Sequence, residues 1–200
     1  MTSLRHNADP QSGYLDAARA CILDVGWRRT TLTEVARRAG VSRMTIYRTW
    51  PDMAAVLADL MTREWGEVVA AAVEAADASL PDAASVADHL VAIVVATAQG
   101  LRDNELFVRI VELDPELLLP YLLTRRGRSQ QAIVELTAAR LHDGQTEGSV
   151  RAGDPVVMAR ALLLAVHGFV LSAHTMVDDD VSEGALDAEL AELVRRGVAS

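Results

Sequence analysis

The sequence contains no lysine and only one cysteine. All 19 of its basic side chains other than histidine are therefore arginines, so contacts with a polyanion must come from guanidinium groups, hydroxyls or backbone N–H groups. Cys21 has no second cysteine with which to form an internal disulfide. Its apolar neighbours in a predicted first helix indicate a buried structural thiol rather than a redox sensor.

Aromatic residues and long apolar runs are also scarce. The chain has two Phe, three Tyr and three Trp, although 50% of its residues are hydrophobic, and this composition favours an all-α globular protein. The N-terminus lacks the basic-then-apolar pattern of a signal peptide, which predicts a cytoplasmic location. The most apolar run, residues 156–173, is interrupted by Arg160, His167 and Ser172. Because a membrane span needs roughly 20 apolar residues, we expect a helix buried in protein and no membrane contact.

The motifs that carry enzyme chemistry are missing as well. The sequence has no P-loop, no dinucleotide fingerprint, no G-x-S-x-G elbow and no Cys or His cluster at zinc spacing. His167 and His174 lie seven residues apart on one predicted helix face, but no third ligand follows at helical spacing, so buried or interface histidines are the preferred interpretation. We expect no catalytic residue, no metal and no cofactor, and an enzyme is the last of the hypotheses.

Charge is distributed unevenly along the chain. Residues 1–50 carry eight Arg against four acidic residues, a net charge of +4, whereas residues 51–200 carry eleven Arg against twenty-four acidic residues, a net charge of −13. A basic N-terminal part on an acidic body fits DNA binding at one end of the molecule. Taken alone, a charge of +4 is equally compatible with ordinary surface variation.

The stretch from Thr30 to Asp52 has the signals of a helix-turn-helix. Thr31 and Glu34 form a T-x-x-E capping box at the start of a short helix, which Gly40 ends in a left-handed conformation. The apolar positions Leu32, Val35, Ala36 and Ala39 recur at helical spacing. The sequence therefore predicts a short amphipathic helix followed by a tight turn.

A second short helix is predicted from Ser42 to Arg48, with Ile46 as its inward anchor. Its remaining side chains give it the size and polarity to lie in a major groove, where arginine can bind guanine or phosphate and tyrosine can donate to phosphate. The predicted DNA contacts, at this helix and at the mouth of the preceding one, are Arg28, Arg29, Thr31, Ser42, Arg43, Met44, Thr45, Tyr47 and Arg48.

The stretch from Tyr14 to Leu60 resembles the DNA-binding domain of the TetR (tetracycline-repressor) family of bacterial one-component regulators. The resemblance rests on LDAARACILDVGW, TTLTEVARRAGVS and IYRTWPDMAAVL, the last of which is similar to the family's YxxF-x-x-K-x-x-L run. Met53 stands where the family usually has a lysine that holds the DNA backbone, and Met44 stands where glycine is common. The first departure predicts weaker or differently placed phosphate contacts; the second places a thioether where it can touch a thymine methyl.

The resemblance also implies a homodimer that pairs through its last two large helices, here near residues 154–175 and 182–198. The first of these is apolar almost all round, which predicts burial against its own core and against a partner subunit. Two recognition helices of such a dimer face adjacent major grooves of a pseudo-palindromic site in double-stranded DNA, about 34–36 Å apart.

The body of the chain has the pattern of further helices. A helix from Asp52 to about Ala78 links the DNA-binding part to the body and is the expected transmission element. Other helices are predicted over residues 13–25, 82–99, 103–113, 129–141, 154–175 and 182–198, together with one opened by Pro115 and kinked or broken by Pro120, and a glycine-rich loop over residues 142–155. The total is about nine helices and no sheet.

A regulator that resembles this family usually carries a ligand cavity in its helical body. The residues expected to line it are Trp65, Phe107, Ile110, Tyr121 and Met158, with Asn104, Arg109, Gln130 or His167 as polar contacts. Each is equally compatible with a core position. Arg125, Arg126 and Arg128 surround Gly127; a solvated connection is the preferred interpretation of this basic cluster, and contact with an anionic ligand is the alternative.

Three regions are predicted: a flexible arm over residues 1–12, a helix-turn-helix domain over residues 13–58, and a helical effector-binding and dimerisation domain over residues 59–200. The leading hypothesis is a homodimeric transcriptional repressor that leaves its operator when a small, largely apolar molecule enters the body. The alternatives are an activator or ligand-independent regulator on the same fold, and a helical effector- or partner-binding protein with weakened DNA binding, which Met53 keeps open.

Overall fold

A computed structural model of the chain describes residues 10–200; residues 1–9, most of the predicted arm, lie outside the described residues. The helices of this range are α1 (Pro10–Val25), α2 (Leu32–Arg38), α3 (Arg43–Thr49), α4 (Met53–Ser79), α5 (Val86–Arg102), α6 (Glu105–Leu113), α7 (Leu119–Leu123), α8 (Arg128–Glu147), α9 (Pro155–Ser172) and α10 (Glu183–Val198). Residues 10–200 contain no strand, only an isolated bridge between Val150 and Ala199. The predicted all-α class is confirmed, and nine of the ten helices have seven residues or more.

The first three helices form a small head, residues 10–52. Its core consists of Leu15, Ala18, Cys21, Ile22, Leu32, Val35, Ala36, Ile46 and Trp50, all buried. The prediction of a buried structural Cys21 is confirmed. Val25, which its helical spacing from Ala18 and Ile22 predicts to face inward, is instead 45% exposed. α1 starts at Pro10, three residues before the predicted Gly13, because proline is tolerated in the first turn of a helix.

Helix α5 is the centre of the body and packs against α4, α8, α9 and α10. It begins four residues later than predicted because Ser85 and Asp88 form a capping box: Ser85 Oγ accepts from the Asp88 N–H (3.2 Å) and Asp88 Oδ2 accepts from the Ser85 N–H (3.1 Å). α4 extends 27 residues from the head along the body. It buries Leu57, Leu60 and Met61, whose helical spacing predicts one core-facing side.

The two prolines between α6 and α8 act differently from the prediction. Pro115 opens a short 3₁₀ turn rather than a helix, and Asp114 makes no side-chain cap to it. Pro120 lies in the first turn of α7 instead of breaking a helix. A proline fits there because the first N–H groups of a helix have no intrahelical acceptor.

The prediction of a glycine-rich loop over residues 142–155 is wrong for the first half of that range, which is helical. α8 continues through it until Gly148, whose φ of 94° ends the helix. Gly144 lies inside the helix, where an added Cβ would come 2.4 Å from Val150 Cγ2 and 3.2 Å from Val86 Cγ1. Glycine at this position therefore permits close packing of two valines and does not mark a turn.

We expect Gly144→Ala to lower the free energy of unfolding by about 1–2 kcal/mol, because the stiff, branched Val150 side chain cannot turn away from a new methyl group. Urea denaturation gives the measurement. Gly66→Ala is the matched control: Gly66 lies within α4, an added Cβ there meets nothing within 4 Å, and the change should stabilise the fold by about 0.5–1 kcal/mol. A Gly144→Ala chain as stable as the parent would contradict the described packing.

Candidate nucleic-acid interface and internal cavity

The turn between α2 and α3 is closed by local hydrogen bonds. Thr31 Oγ1 caps α2 by accepting from the Glu34 N–H (3.2 Å), and Gly40 takes a φ of 68°. Ser42 Oγ then caps α3 by accepting from the Thr45 N–H (3.2 Å). The predicted capping box at α2 is only half formed, because Arg37 donates to the Glu34 carboxylate (Nε–Oε2 3.1 Å). This ion pair lowers the pKa of Glu34.

Helix α3 presents an open face on top of a fixed anchor. Ile46 is fully buried, whereas Met44 is 62% exposed and Tyr47 is 49% exposed. Arg43 and Arg48 are exposed, and neither has an acidic partner among residues 10–200. Unpaired guanidinium groups beside an exposed phenol and thioether are what a helix needs to bind phosphates and base edges.

The remaining predicted DNA contacts all belong to the head but differ in their partners. Thr31 and Ser42 are exposed but serve as helix caps, and the Thr45 hydroxyl contacts Ser42 Oγ (2.9 Å). Arg29 is exposed and has no acidic partner within residues 10–200. Met53, at the family's lysine position, packs against the core.

Arg28 is held by the body instead of lying free in the head. Its guanidinium contacts Asp114 Oδ1 (through Nε, 3.1 Å) and Glu116 Oε1 (through Nη2, 2.6 Å) in the segment between α6 and α7. The arginine lowers the pKa of Glu116, chiefly through the hydrogen bond. Arg28 therefore links the head to the body, a role that its position in the sequence did not indicate.

Two acidic residues of α4 that sequence reasoning missed join head and body. Asp59 Oδ2 accepts from the indole N–H of the buried Trp50 (2.7 Å), and Asp59 Oδ1 pairs with Arg128 at the start of α8. Glu64, 4% exposed, accepts from Arg19 Nε of α1 (3.2 Å) and Asn104 Nδ2 (3.2 Å). For Glu64 a signal existed: it lies one helical turn after Leu60 on the apolar face of α4, where a charge requires partners.

The body encloses an apolar cavity of about 210 Å³ between α4 and α9. Of the predicted lining residues the structure brings Trp65, Phe107, Tyr121, Gln130 and His167 to its wall. Trp65 and Phe107 pack edge to face, 6.4 Å apart. The sequence did not predict the aliphatic wall, which includes Leu90, Ile93, Val94, Ile133, Leu162, Leu163 and Val166.

Three predicted lining residues lie elsewhere. Asn104 caps α6 by accepting from the Phe107 N–H (2.9 Å) and donates to Glu64. Ile110 is buried and borders a different cavity, beside α4. Met158 packs beside the loop before α9, where Gln145 Nε2 lies 3.8 Å from its sulfur. Arg109, weighed as a polar contact, is also absent from the lining of the 210 Å³ cavity.

Polar groups in the cavity are few. Gln130 Nε2 lies 3.4 Å from His167 Nε2 and 3.3 Å from the Tyr121 carbonyl oxygen. Burial lowers the pKa of His167, so its imidazole is neutral at neutral pH. His174, expected together with His167 to be a buried or interface histidine, is exposed in the turn after α9. No group of three His, Cys, Asp or Glu side chains within residues 10–200 is placed to hold a metal ion.

Helix α9 carries a large apolar face that its own chain leaves uncovered. Val157 is 61% exposed and Leu164 is 71% exposed, and Ala161, Ala165 and Gly168 are exposed beside them. Leu193 of α10 is 58% exposed. By length and composition only, residues 155–175 are long and apolar enough to cross a membrane, whereas the sequence predicted that this run is too short. Within the described chain, 28% of the most apolar part of this helix is buried.

Comparison with known proteins follows the same division into head and body. The family model described as "Bacterial regulatory proteins, tetR family" matches residues 15–60. An HTH-type transcriptional regulator of Mycobacterium tuberculosis is 38% identical over 183 residues, which cover 92% of this chain and 91% of the relative.

Among solved structures, a protein of unknown function from Rhodococcus sp. RHA1 aligns over 100% of both chains with a TM-score of 0.69 and 20% identity. The transcriptional regulator FadR from Bacillus subtilis, solved in complex with stearoyl-CoA, aligns over 93% of this chain and 98% of its own with a TM-score of 0.64 and 18% identity. The similarity in sequence to the Mycobacterium tuberculosis regulator extends through head and body alike. The chain therefore belongs to the TetR family of transcriptional regulators, with an N-terminal helix-turn-helix DNA-binding domain.

Proposed function

We propose that the protein is a homodimeric repressor, resident in the cytoplasm, that binds a pseudo-palindromic operator and leaves it when an effector enters the body. The observation that carries DNA binding is the open face of α3, with exposed Arg43, Met44, Tyr47 and Arg48; within residues 10–200 no acidic side chain is paired with either arginine. The matched positions of the head support this role for α3. Because Met53 packs against the core, we assign the phosphate contacts to these arginines, to Tyr47 and to Arg29.

The exposed apolar face of α9, with Leu164 at its centre, supports the dimer. A soluble chain rarely leaves so continuous an apolar surface in water, and a second copy in two-fold symmetry covers the same patch on both subunits. The small residues Ala161, Ala165 and Gly168 permit close approach of two α9 helices. Two heads on such a dimer can engage half-sites about 34–36 Å apart.

Release of the operator would be a shift between two states of the body. α4 packs against α1 of the head, accepts the Trp50 N–H through Asp59 and borders the cavity at Trp65. A ligand that favours one position of α4 therefore also favours one spacing of the two heads. The ligand can shift this equilibrium only by its difference in affinity for the two states. FadR from Bacillus subtilis, similar in fold, is described in complex with stearoyl-CoA, and this supports an effector in the body.

The first test is fluorescence anisotropy on the DNA upstream of the protein's own gene, at two salt concentrations and with random duplex as competitor. We expect tight binding that survives the competitor. Binding equal to that of random duplex, with the usual loss at higher salt, would contradict specific recognition of this DNA. No change in anisotropy with any duplex would instead support the alternative of an effector- or partner-binding protein with weakened DNA binding.

We expect Arg48→Ala to weaken operator binding by about tenfold to a hundredfold, because the change removes one phosphate contact from each subunit. Tyr47→Ala should act in the same direction on every sequence, whereas Arg43→Ala or Met44→Ala should change the base preference. The control is Arg140→Ala, which removes an exposed arginine of α8 and should leave operator affinity unchanged. Parent-like affinity of the Arg48→Ala protein at the same salt would remove Arg48 from the interface.

A further inference from the structure

A second cavity, of about 360 Å³, lies beside the first, between α4 and the segment that connects α6 to α8. The side chains of Trp65, Leu118 and Tyr121 line both cavities. One wall of the second cavity is apolar and includes Leu57, Met61 and Ile110; the other carries Arg125, Arg126 and Arg128. The two spaces thus meet at three shared side chains and differ in charge.

The residues that line the two cavities carry a net positive charge, whereas the net charge of the whole chain is negative. The chain has 28 acidic residues against 19 arginines, yet none of the residues that line either cavity is acidic, and four are arginines. Three of these arginines belong to the second cavity and one, Arg140, to the first. A cationic ligand would find no counter-ion in these linings, whereas an anion would find several.

The arginines at the second cavity are available to different degrees. Arg128 is paired with Asp59. Arg125 lies over the Tyr121 ring, 5.0 Å from its centroid, and Arg126 donates to the neutral Gln131 side chain; neither has an acidic partner within residues 10–200. An arginine without a carboxylate keeps its full capacity to bind a phosphate or carboxylate in a bidentate manner.

Trp65 provides an independent indication at the junction of the two cavities. Its indole Nε1 is buried, and it has no hydrogen-bond acceptor among the described residues. A buried donor without an acceptor is unfavourable, because it has lost its hydrogen bond to water and gained none in the protein. Because Trp65 lines both cavities, an oxygen of a ligand that crosses from one cavity to the other lies beside the ring that carries this N–H.

We propose that the effector is an amphipathic anion, whose apolar chain occupies the cavity between α4 and α9 and whose charged group binds Arg125 and Arg126 in the neighbouring cavity. This inference rests on the proposed effector role of the body and assigns the class of ligand. A head-group oxygen accepts the Trp65 N–H at the junction. The chain needs no polar partner, because the first cavity is lined by aliphatic and aromatic side chains.

The same site explains how binding reaches the head. Arg128 lies beside Arg125 and Arg126 in the lining, and its partner Asp59 also holds the Trp50 indole. An anion at this site competes with Asp59 for Arg128. Weakening that ion pair changes the contacts that fix the start of α4 against the head, so the bound and free states differ at the element that positions α3.

Isothermal titration calorimetry with four probes, below their micelle concentrations, tests the proposal: dodecyl phosphate, dodecanoate, dodecan-1-ol and dodecyltrimethylammonium. We expect both anions to bind at least tenfold more tightly than the alcohol, and the cation not to bind. The ratio of the two anion affinities distinguishes a phosphorylated head group from a free carboxylate. Equal binding of the alcohol or of the cation, or no binding of any probe, would overturn the proposal.

Variants locate the charged group. The double variant Arg125→Ala/Arg126→Ala should weaken the anions by about tenfold to a hundredfold and leave the alcohol within twofold. Arg140→Ala, which removes the arginine of the first cavity, tests the opposite orientation of the ligand and should leave the ratio of anion to alcohol affinity unchanged. If Arg140→Ala lost anion binding while the double variant bound the anions as tightly as the parent, the head group would lie at the opposite end and the assignment would be refuted. Trp65→Phe should weaken every probe that has a head-group oxygen by about threefold to tenfold.

Operator binding measured on the same preparations separates the two proposals. Anion binding without operator binding would leave the ligand assignment standing and refute the repressor. Operator binding without anion binding would do the reverse.

Discussion

Trp50→Ala is expected to lower the free energy of unfolding by about 3–5 kcal/mol, the largest loss we predict for a single side chain of the head. Trp50 is 2% exposed, meets the Tyr14 ring edge to face at 6.3 Å and donates its indole N–H to Asp59 (2.7 Å). The truncation removes this packing and this hydrogen bond together. Urea denaturation followed by circular dichroism gives the value.

Two further variants separate the packing from the hydrogen bond. Trp50→Phe keeps most of the buried ring and loses the N–H, so we expect it to cost about 1–2 kcal/mol. Tyr47→Ala, one turn away and 49% exposed, should change stability by less than about 0.5 kcal/mol. If Trp50→Ala were no more destabilising than Tyr47→Ala, Trp50 would not be the anchor of the head that its burial indicates.

Leu164→Arg is expected to convert the protein to a monomer and to weaken operator binding by about 10²- to 10⁴-fold. Leu164 is 71% exposed in the single chain, so an arginine there is harmless to the fold of one subunit. In a two-fold dimer through α9 the same change places two charges in one apolar interface. The loss of affinity is large because a dimer binds its second half-site at a high effective concentration.

Sedimentation equilibrium gives the oligomeric state, and fluorescence anisotropy of labelled operator DNA gives the affinity; both are measured on the same sample. Leu123→Arg is the matched control, since Leu123 is 75% exposed but lies on α7, outside the proposed interface, and should leave both measurements unchanged. A dimeric Leu164→Arg protein with parent-like operator affinity would move the interface away from this face of α9.

The head was predictable because its signals are local. The capping hydroxyls of Thr31 and Ser42 act three residues away, Gly40 takes the conformation that only glycine adopts without strain, and Pro51 restricts its neighbour. Each of these constraints needs only a few adjacent residues. The order and type of the helices in the head therefore followed from the sequence.

Contacts between distant parts of the chain were not predictable in this way. The roles of Arg28 and Asp59 depend on partners 60 or more residues away, Glu116 and Arg128, and no spacing in the sequence indicates them. Gly144 has the composition signal of a loop, but tertiary packing against Val150 retains it in a helix. The cavity was predicted in part for the same reason: its aromatic residues are conspicuous in the sequence, whereas the aliphatic wall resembles ordinary core.

The Asp59 carboxylate has a consequence for how the molecule unfolds. It lies in the second turn of α4, one residue beyond the predicted boundary of the head, and it joins Trp50 of the head to Arg128 of the body. Glu64 and the Arg28–Glu116 pair add two more bridges of the same kind. Opening the head locally breaks all three, so we expect head and body to lose structure together as one cooperative unit rather than as two domains in sequence.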